Sequence, residues 1–145
     1  MLDAGLWSDA RAAAARAREI FTKLDVSFEI GKATLLECFA TVRAGDPSEA
    51  ARLLTEANRR LRREPNSNWH ALAHQAAAEI AVAQQKPKQA FAQLQRAELL
   101  SPTGERLPAI REQLADLAID LGESEEVRRL SPSPAQRAKH LRTEG

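Results

Sequence analysis

The sequence predicts an all-α protein made of repeated helix pairs, and three observations support this fold class. Alanine and leucine are abundant, whereas aromatic residues make up 4% of the chain and Tyr is absent, a composition that favours helices over strands. Related six-residue segments, GLWSDA, GDPSEA, QKPKQA and GESEEV, begin at residues 5, 45, 85 and 122. Successive copies are 40, 40 and 37 residues apart, a period typical of repeat arrays. Between the copies, apolar residues recur at helical spacing.

Each repeated segment is predicted to join two helices. In GDPSEA, Gly45 can end one helix in a left-handed conformation, Asp46 can cap the next helix, and Pro47 suits its first turn. Glu49 stands three residues after Asp46, which is the spacing of a capping box. This segment therefore carries the signals that end one helix and start another.

Proline-containing segments separate the helix pairs. They are EPNSN at 64–68 and SPTGERLP at 101–108, where proline removes an amide donor and a following Asn or Ser can cap the next helix. The predicted helices span residues 8–24, 27–44, 47–63, 68–84, 87–100 and 108–121. After residue 130 the sequence becomes SPSPAQRAKHLRTEG, so we expect a helical repeat domain over 1–130 and a disordered tail or linker over 131–145.

The second helix of each pair repeats one face. Starting from Ala10, Ala50 and Ala90, the residue four positions on is Ala14, Leu54 or Leu94, and the residue seven positions on is Ala17, Ala57 or Ala97. Small residues let a neighbouring helix approach closely. Each pair can then bury this face only against the next pair, as in a solenoid.

These features resemble the tetratricopeptide repeat. The best match is QKPKQAFAQLQRAELLSP (85–102), which has Ala90, Leu94, Ala97 and Pro102 in step with the family pattern. The spacing of 40 and 37 residues exceeds that family's 34. The segment AREIFTKLD (17–25) is similar to the longer second helix of extended repeats in bacterial signalling proteins, among them arms of large transcriptional activators and arrays attached to CHAT peptidases.

The resemblance covers residues 5 to 130 and implies a right-handed superhelical α-solenoid of about three helix pairs, with single helices at the ends. Two residues depart from the family pattern: Glu37 stands where the family usually has leucine, and Gln85 replaces the glycine of the joint. The first repeated segment leaves no room for a helix before it, and few residues follow the last one before the proline-rich tail. We therefore expect either a fragment of a larger protein or an array closed by single helices.

Bulk composition excludes several function classes. Lysine and arginine nearly balance the acidic residues, leaving a net charge of +1, so no overall field favours nucleic acid or a membrane surface. A single cysteine excludes a disulfide framework and a multi-cysteine zinc site. No glycine-rich phosphate loop, signal peptide or long apolar run is present in the sequence. We expect a soluble, cytoplasmic protein without a cofactor.

Candidate catalytic and metal-binding residues are few. His70 and His74 are four residues apart on one predicted helix and could share a metal ion, but no third ligand is evident and no Glu stands where a metalloprotease needs one. We interpret them as histidines at the start of a helix. Cys38 lies in LLECFA and is interpreted as a small buried residue. No enzymatic activity is predicted.

A basic cluster and two tryptophans can each be interpreted as a binding surface or as part of the structure. ANRRLRREP (57–65) could contact nucleic acid, but Glu56 and Glu64 are placed to pair with Arg59 and Arg60. We therefore predict a self-paired helix end. Trp7 and Trp69 could be interface hot spots, but are predicted to fill junctions between helices.

The resemblance implies that the first helix of each pair lines a concave, partner-binding surface. Its inward positions are Lys32, Leu35, Phe39, Val42 and Arg43; then Leu72, Gln75, Glu79 and Val82; then Ala109, Glu112, Asp116, Ile119 and Asp120. This surface changes from basic and apolar to acidic along the array. We hypothesise that it binds an extended or helical peptide segment of a partner protein within a larger signalling or regulatory assembly.

Two rival functions remain open. The chain could be a structural arm that spaces neighbouring domains or oligomerises through exposed terminal helices, which predicts a concentration-dependent mass and no peptide ligand. It could also be an enzyme using His70 and His74, which predicts stoichiometric zinc.

Overall fold

The structure is a computed structural model that describes residues 4–101 and 107–121, and these residues form six α-helices and no strand. The helices are α1 (Ala4–Lys23), α2 (Ser27–Arg43), α3 (Pro47–Leu61), α4 (Ser67–Ala83), α5 (Pro87–Leu100) and α6 (Leu107–Leu121). The all-α prediction is confirmed, and each helix ends within a few residues of its predicted bounds.

The first repeated segment belongs to a helix and is not a joint. Because α1 begins at Ala4, GLWSDA lies within its first two turns, and the prediction that this segment joins two helices is wrong. The segment lacks the proline of the second and third copies, and a glycine in a first turn does not stop a helix. The fourth copy, at 122, and the predicted tail over 131–145 lie outside the described residues.

The joint between α2 and α3 is a Schellman turn. Gly45 has a φ of 97°, its amide donates to the carbonyl of Val42 (3.1 Å), and the amide of Asp46 donates to the carbonyl of Thr41 (3.1 Å). The same pair of hydrogen bonds is found where the left-handed residue is Asp25 (φ 54°) and where it is Gln85 (φ 59°). The left-handed conformation predicted for Gly45 is confirmed, and the backbone turn also forms without glycine.

Side-chain caps start two helices as predicted. Asp46 accepts a hydrogen bond from the amide of Glu49 (3.2 Å), and Asn66 accepts one from the amide of Asn68 (3.0 Å). The reciprocal half of the predicted capping box is absent, because the Glu49 carboxylate binds Arg52 and the amide of Asp46 is used by the Schellman turn. The hydrogen bond from Arg52 also holds the pKa of Glu49 below its ordinary value.

Each helix packs against the next one in sequence, and α1 and α2 run antiparallel. On α1 and α2, Trp7 lies beside Arg43 whereas Arg18 binds Glu37, so the start of one helix faces the end of the other. The helices α2 and α4 also touch. Within the described chain, α4 is therefore in contact with α2, α3 and α5.

The apolar core has two parts that meet at α4. The first lies between α2, α3 and α4 and contains Leu35, Leu53 and Leu61, and the second lies between α4, α5 and α6 and contains Ile110 and Leu114. These five side chains are almost completely buried. Because α4 contributes residues to both parts, it joins the two halves of the molecule.

Small residues stand where helices approach closely, as predicted. The alanines of the repeated face on α3 and α5 are completely buried: Ala50, Ala57, Ala90 and Ala97. On α2, a Cβ atom added at Gly31 would lie 2.8 Å from the Cβ atom of Arg60 and 2.9 Å from Cγ of Leu61. Glycine at this position therefore permits the close crossing of α2 and α3.

Candidate partner-binding groove

Arg43, near the end of α2, connects three helices. Its Nε and Nη2 atoms donate to the two carboxylate oxygens of Glu79 on α4, at 2.9 Å each. Its guanidinium carbon lies 4.9 Å from the ring centroid of Trp7 on α1 and 5.1 Å from that of Phe39. Bidentate and cation–π contacts of this kind fix the guanidinium in one place. The structure thus brings together three predicted site residues, Phe39, Arg43 and Glu79.

Two open cavities lie on either side of Arg43. One, of about 390 Å³, is called the C-terminal cavity and is lined by Val42, Arg43, Ala78, Glu79, Val82, Ala83, Leu94, Gln113, Asp116 and Leu117. The other, of about 580 Å³, is called the N-terminal cavity and is lined by Trp7, Ala10, Ala13, Ala14, Leu36, Phe39, Ala40, Arg43 and Leu72. Both are mostly apolar, and Arg43 lines both. The predicted residues Val42, Val82 and Asp116 are thereby brought to the same cavity as Arg43 and Glu79.

Three carboxylates form a stripe on α6, called the acidic stripe. Glu112, Asp116 and Asp120 are four residues apart and exposed, so they follow one face of the helix. Asp116 lines the C-terminal cavity. Within residues 4–101 and 107–121, no cation forms an ion pair with any of the three. The stripe therefore carries negative charge that the described chain does not neutralise.

Lys32, the other predicted cation of the groove, is neutralised within the chain. Its Nζ atom lies 3.4 Å from carboxylate oxygens of both Glu29 and Glu64, and 5.3 Å from the ring centroid of Trp69. Partial burial favours the neutral amine, but the hydrogen bonds and charges of Glu29 and Glu64 outweigh it and raise the pKa of Lys32. Lys32 lines neither cavity next to Arg43, so the basic end predicted for the groove is self-paired.

Leu35 is not a groove residue, and this part of the prediction is wrong. Its side chain is completely buried in the core between α2 and α3, on the same stripe as Gly31 and Cys38. Phe39 is also mostly buried, with an exposed fraction of 8%, and it lines the N-terminal cavity. Gln75 is half-buried, and its Oε1 atom has no hydrogen-bond partner in the described part of the chain.

The groups considered for catalysis are engaged in packing and hydrogen bonds. His70 Nε2 donates to the carbonyl of Glu64 (2.7 Å), and His74 Nδ1 lies 2.7 Å from Oε1 of Gln93, so the two rings have separate partners. Among the described residues, no group of three or more His, Cys, Asp or Glu side chains could hold a metal ion.

Cys38 is buried as the sequence analysis predicts, and its Sγ atom donates to the carbonyl of Ala50 (3.2 Å). Burial, together with the nearby carboxylates of Glu79 and Glu37, raises the pKa of Cys38 to about 12. The thiol is therefore protonated at neutral pH and is a poor nucleophile.

The ion pairs around the basic cluster are partly as predicted. Arg59 and Arg60 both bind Glu56, and these hydrogen bonds hold the pKa of Glu56 below its ordinary value. Glu64 binds Lys32 and not Arg60, which corrects that part of the prediction. The predicted self-pairing thus holds for Arg59 and Arg60, through Glu56, whereas Arg62 and Arg63 form no ion pair within the described residues.

One buried ion pair was not predicted. Glu37 has 8% of its side chain exposed, and its Oε2 atom accepts a hydrogen bond from Nε of Arg18 on α1 at 2.8 Å. One feature of the sequence pointed to this pair: Glu37 stands where the tetratricopeptide pattern usually has leucine. Antiparallel packing of α1 and α2 brings Arg18 opposite Glu37, so the buried carboxylate has a cationic partner.

Comparisons with protein-family models, with curated proteins and with solved structures gave no match. None of the described helices combines the length and apolarity that crossing a membrane requires.

Proposed function

We propose that this chain is a protein-interaction module that binds a basic, partly apolar peptide segment of a partner protein. The segment lies across the C-terminal cavity and along the acidic stripe, and the chain acts within a larger signalling or regulatory assembly. One observation carries the proposal: an open apolar cavity between α2, α4 and α6 is bordered by Asp116, whose carboxylate has no cation partner in the described chain.

The proposal includes an architecture, a right-handed superhelical α-solenoid similar to tetratricopeptide arrays, with about three helix pairs and single helices at the ends. Each helix packs against the next, and α2 and α4, the first helices of successive pairs, are in contact. The helix α6 adds the third wall of the C-terminal cavity. First helices that share one wall in this way support a common concave surface for a ligand.

The charge of the groove selects a basic ligand. Arg43 and Lys32 are already paired with carboxylates, whereas Glu112, Asp116 and Asp120 are exposed and carry no ion pair within the described residues. Exposed charges mainly set orientation and association rate and are screened by salt. The apolar wall, including the half-exposed Val82, then supplies most of the affinity.

The test is a selection of binding peptides from a displayed library, followed by measurement of their affinities by fluorescence anisotropy. We expect selected peptides to combine Lys or Arg residues with one or two large apolar residues. The double substitution Glu112→Lys and Asp116→Lys should weaken binding about tenfold, an effect that shrinks at high salt, while helical content measured by circular dichroism is unchanged.

The matched control is Asp9→Lys with Glu19→Lys, two exposed acids on α1 that line neither cavity beside Arg43. It makes the same change in net charge and should leave affinity within about twofold. Equal loss of affinity in both double variants would show that only overall charge matters. A selection that yields no saturable peptide would also reject the proposed function.

A structural arm is the second candidate function, favoured by apolar side chains at the turn between α1 and α2. Ile20, Leu24 and Phe28 are 58%, 65% and 38% exposed. If these residues join copies of the chain, sedimentation equilibrium should show a concentration-dependent mass that Leu24→Asp abolishes.

A further inference from the structure

Four arginines line one open cavity where the start of α2 crosses the end of α3. The cavity, called the arginine pocket, has a volume of about 310 Å³ and is lined by Ser27, Phe28, Arg59, Arg60, Arg62 and Arg63. None of these lining residues is acidic. A Cβ atom added at Gly31 would lie 2.8 Å from that of Arg60, so glycine lets the start of α2 approach the end of α3 this closely.

Two of the four arginines are neutralised within the chain, and two are not. Arg59 and Arg60 both bind Glu56, at 2.7 and 3.2 Å. Arg62 and Arg63 are exposed, and their guanidinium groups form no hydrogen bond or ion pair with any residue of 4–101 and 107–121. Two positive charges at the pocket therefore lack a counter-charge in the described chain.

Other acids close in sequence do not supply this counter-charge. Glu29 and Glu64 both lie 3.4 Å from Nζ of Lys32, which they neutralise. Asp25, in the turn before α2, is not part of the pocket lining. The two free guanidinium groups are thus available to an anion from outside the described chain.

The start of α2 adds positive potential to the same cavity. Ser27 and Phe28 are the first two residues of this helix, and its N-cap residue, Val26, provides no side-chain hydrogen bond. The first amides of an α-helix have no partner within the helix, and the helix dipole places partial positive charge there. Backbone donors and free guanidinium groups therefore belong to one pocket.

We propose that the arginine pocket binds the phosphate group of a phosphorylated side chain in a partner protein. A phosphate monoester carries about two negative charges and three terminal oxygens, which match two guanidinium groups and the donors at a helix start. A carboxylate carries one charge and two oxygens, so it satisfies fewer of these groups. No residue of the arginine pocket lines the C-terminal cavity, so this site is separate from the groove and does not depend on the function proposed for it.

The surroundings of the pocket favour a protein ligand over a nucleic acid. Nucleic acids are bound by cations that follow many successive phosphates, whereas this chain has a net charge of +1 and two free guanidinium groups at the pocket. Phe28, in the lining, is 38% exposed, and Leu24, in the turn before α2, is 65% exposed. These apolar side chains are placed to contact the residues that flank a phosphorylated side chain.

The test is a titration of the isotope-labelled chain, followed by two-dimensional NMR, with the blocked peptide Ala-Leu-phosphoserine-Leu-Ala. We expect saturable shifts of the amide signals of Ser27 and Phe28 and of the Nε signals of Arg62 and Arg63. The same peptide with unmodified serine should give no saturable shift. Inorganic phosphate, which lacks the apolar flanks, should bind at the same place about threefold more weakly.

Paired substitutions test which arginines bind the phosphate group. Arg62→Gln with Arg63→Gln should weaken binding of the phosphopeptide by about tenfold, because both free guanidinium groups are lost. The matched control is Lys86→Gln with Lys88→Gln, two exposed lysines at the start of α5 that lie outside the pocket lining. It makes the same change in net charge and should leave the affinity within about twofold. Circular dichroism checks that both double variants keep their helical content.

Four results would overturn this proposal. The first is the absence of saturable shifts with the phosphopeptide. The second is equal weakening of binding by the two double variants, which would mean that only overall charge matters. The third is equal affinity for inorganic phosphate and for the phosphopeptide, which would make the pocket a site for a free anion. The last is tighter binding of a short single-stranded oligonucleotide at the same salt concentration, since the ligand would then be a nucleic acid.

Discussion

The helices α1 and α3 carry the same repeated face, yet only α3 buries it completely. Leu53 is 1% exposed between α2 and α4, whereas Ala13, at the same position of α1, is exposed. Burying a leucine side chain is worth roughly 1.5–3 kcal/mol, so α3 gains from this face a stabilisation that α1 does not. The pattern of a repeat therefore defines a face, and the neighbouring helix decides whether that face is core or surface.

A polar contact holds α1 where the apolar one is weak. Arg18 binds the buried carboxylate of Glu37 on α2, but the equivalent positions of α3 and α4 hold Asn58 and Ala77, which cannot form an ion pair. The helices α1 and α3 are thus held in place by different interactions. The helix α3 is held by packing on two sides, whereas α1 is held by packing on one side and by the ion pair.

The largest expected effect comes from exchanging the residues that differ between these faces. Leu53→Ala should lower the free energy of unfolding by about 2–5 kcal/mol, because it leaves a cavity in the core of α2, α3 and α4. Ala13→Leu should change it by less than about 0.5 kcal/mol, because the site is exposed. Urea unfolding followed by circular dichroism measures both. A large effect of Ala13→Leu would mean that the α1 face is covered in solution.

A smaller effect on the free energy of unfolding is expected from breaking the ion pair between α1 and α2. Arg18→Ala leaves the Glu37 carboxylate buried without its partner. We expect a loss of about 2 kcal/mol, less than the roughly 3–5 kcal/mol typical of fully buried pairs, because 36% of the Arg18 side chain is exposed.

The double variant separates charge from packing in this ion pair. When Glu37→Leu is added to Arg18→Ala, it introduces the leucine that the tetratricopeptide pattern usually has at this position. The double variant should recover most of the stability that Arg18→Ala loses. Additive losses in urea unfolding would show that the two side chains do not interact. The matched change Asn58→Ala on α3 should cost little, because Asn58 is exposed.

The helices could be predicted from local sequence signals. The groove could be predicted only in part, because it depends on how the helices are oriented against each other. Gly45, Asp46 and Pro47 specify their joint through backbone conformation and capping, which depend on neighbours in sequence. In contrast, α2 is buried on most of its surface, polar Thr34, Glu37 and Thr41 included, so its sequence pattern does not tell its faces apart. Leu35, in the core, was assigned to the groove by the resemblance alone, and no pattern along α2 spoke against that assignment.

The pairing of Arg43 with Glu79 shows a second limit of prediction from the sequence. Both residues were assigned to the groove, but their hydrogen bonds join residues 36 apart and depend on how α2 and α4 lie against each other. A period of 40 residues fixes which helices are equivalent and leaves open which side chains meet. The acidic stripe was easier to predict from the sequence, because Glu112, Asp116 and Asp120 lie on one helix and their spacing alone places them together.

The smallest expected effect concerns the Schellman turns, which repeat with different residues at the left-handed position. No atom lies within 4 Å of a Cβ atom added at Gly45, so Gly45→Ala tests backbone conformation alone and should destabilise by about 1 kcal/mol. Gln85→Gly should stabilise by about 1 kcal/mol for the same reason, and Asp25→Gly by less, because Asp tolerates this conformation better. Thermal unfolding measures all three against Gln84→Gly, where φ is −90° and glycine should only destabilise. If Gln85→Gly also destabilises, the turn between α4 and α5 is not left-handed at Gln85 in solution.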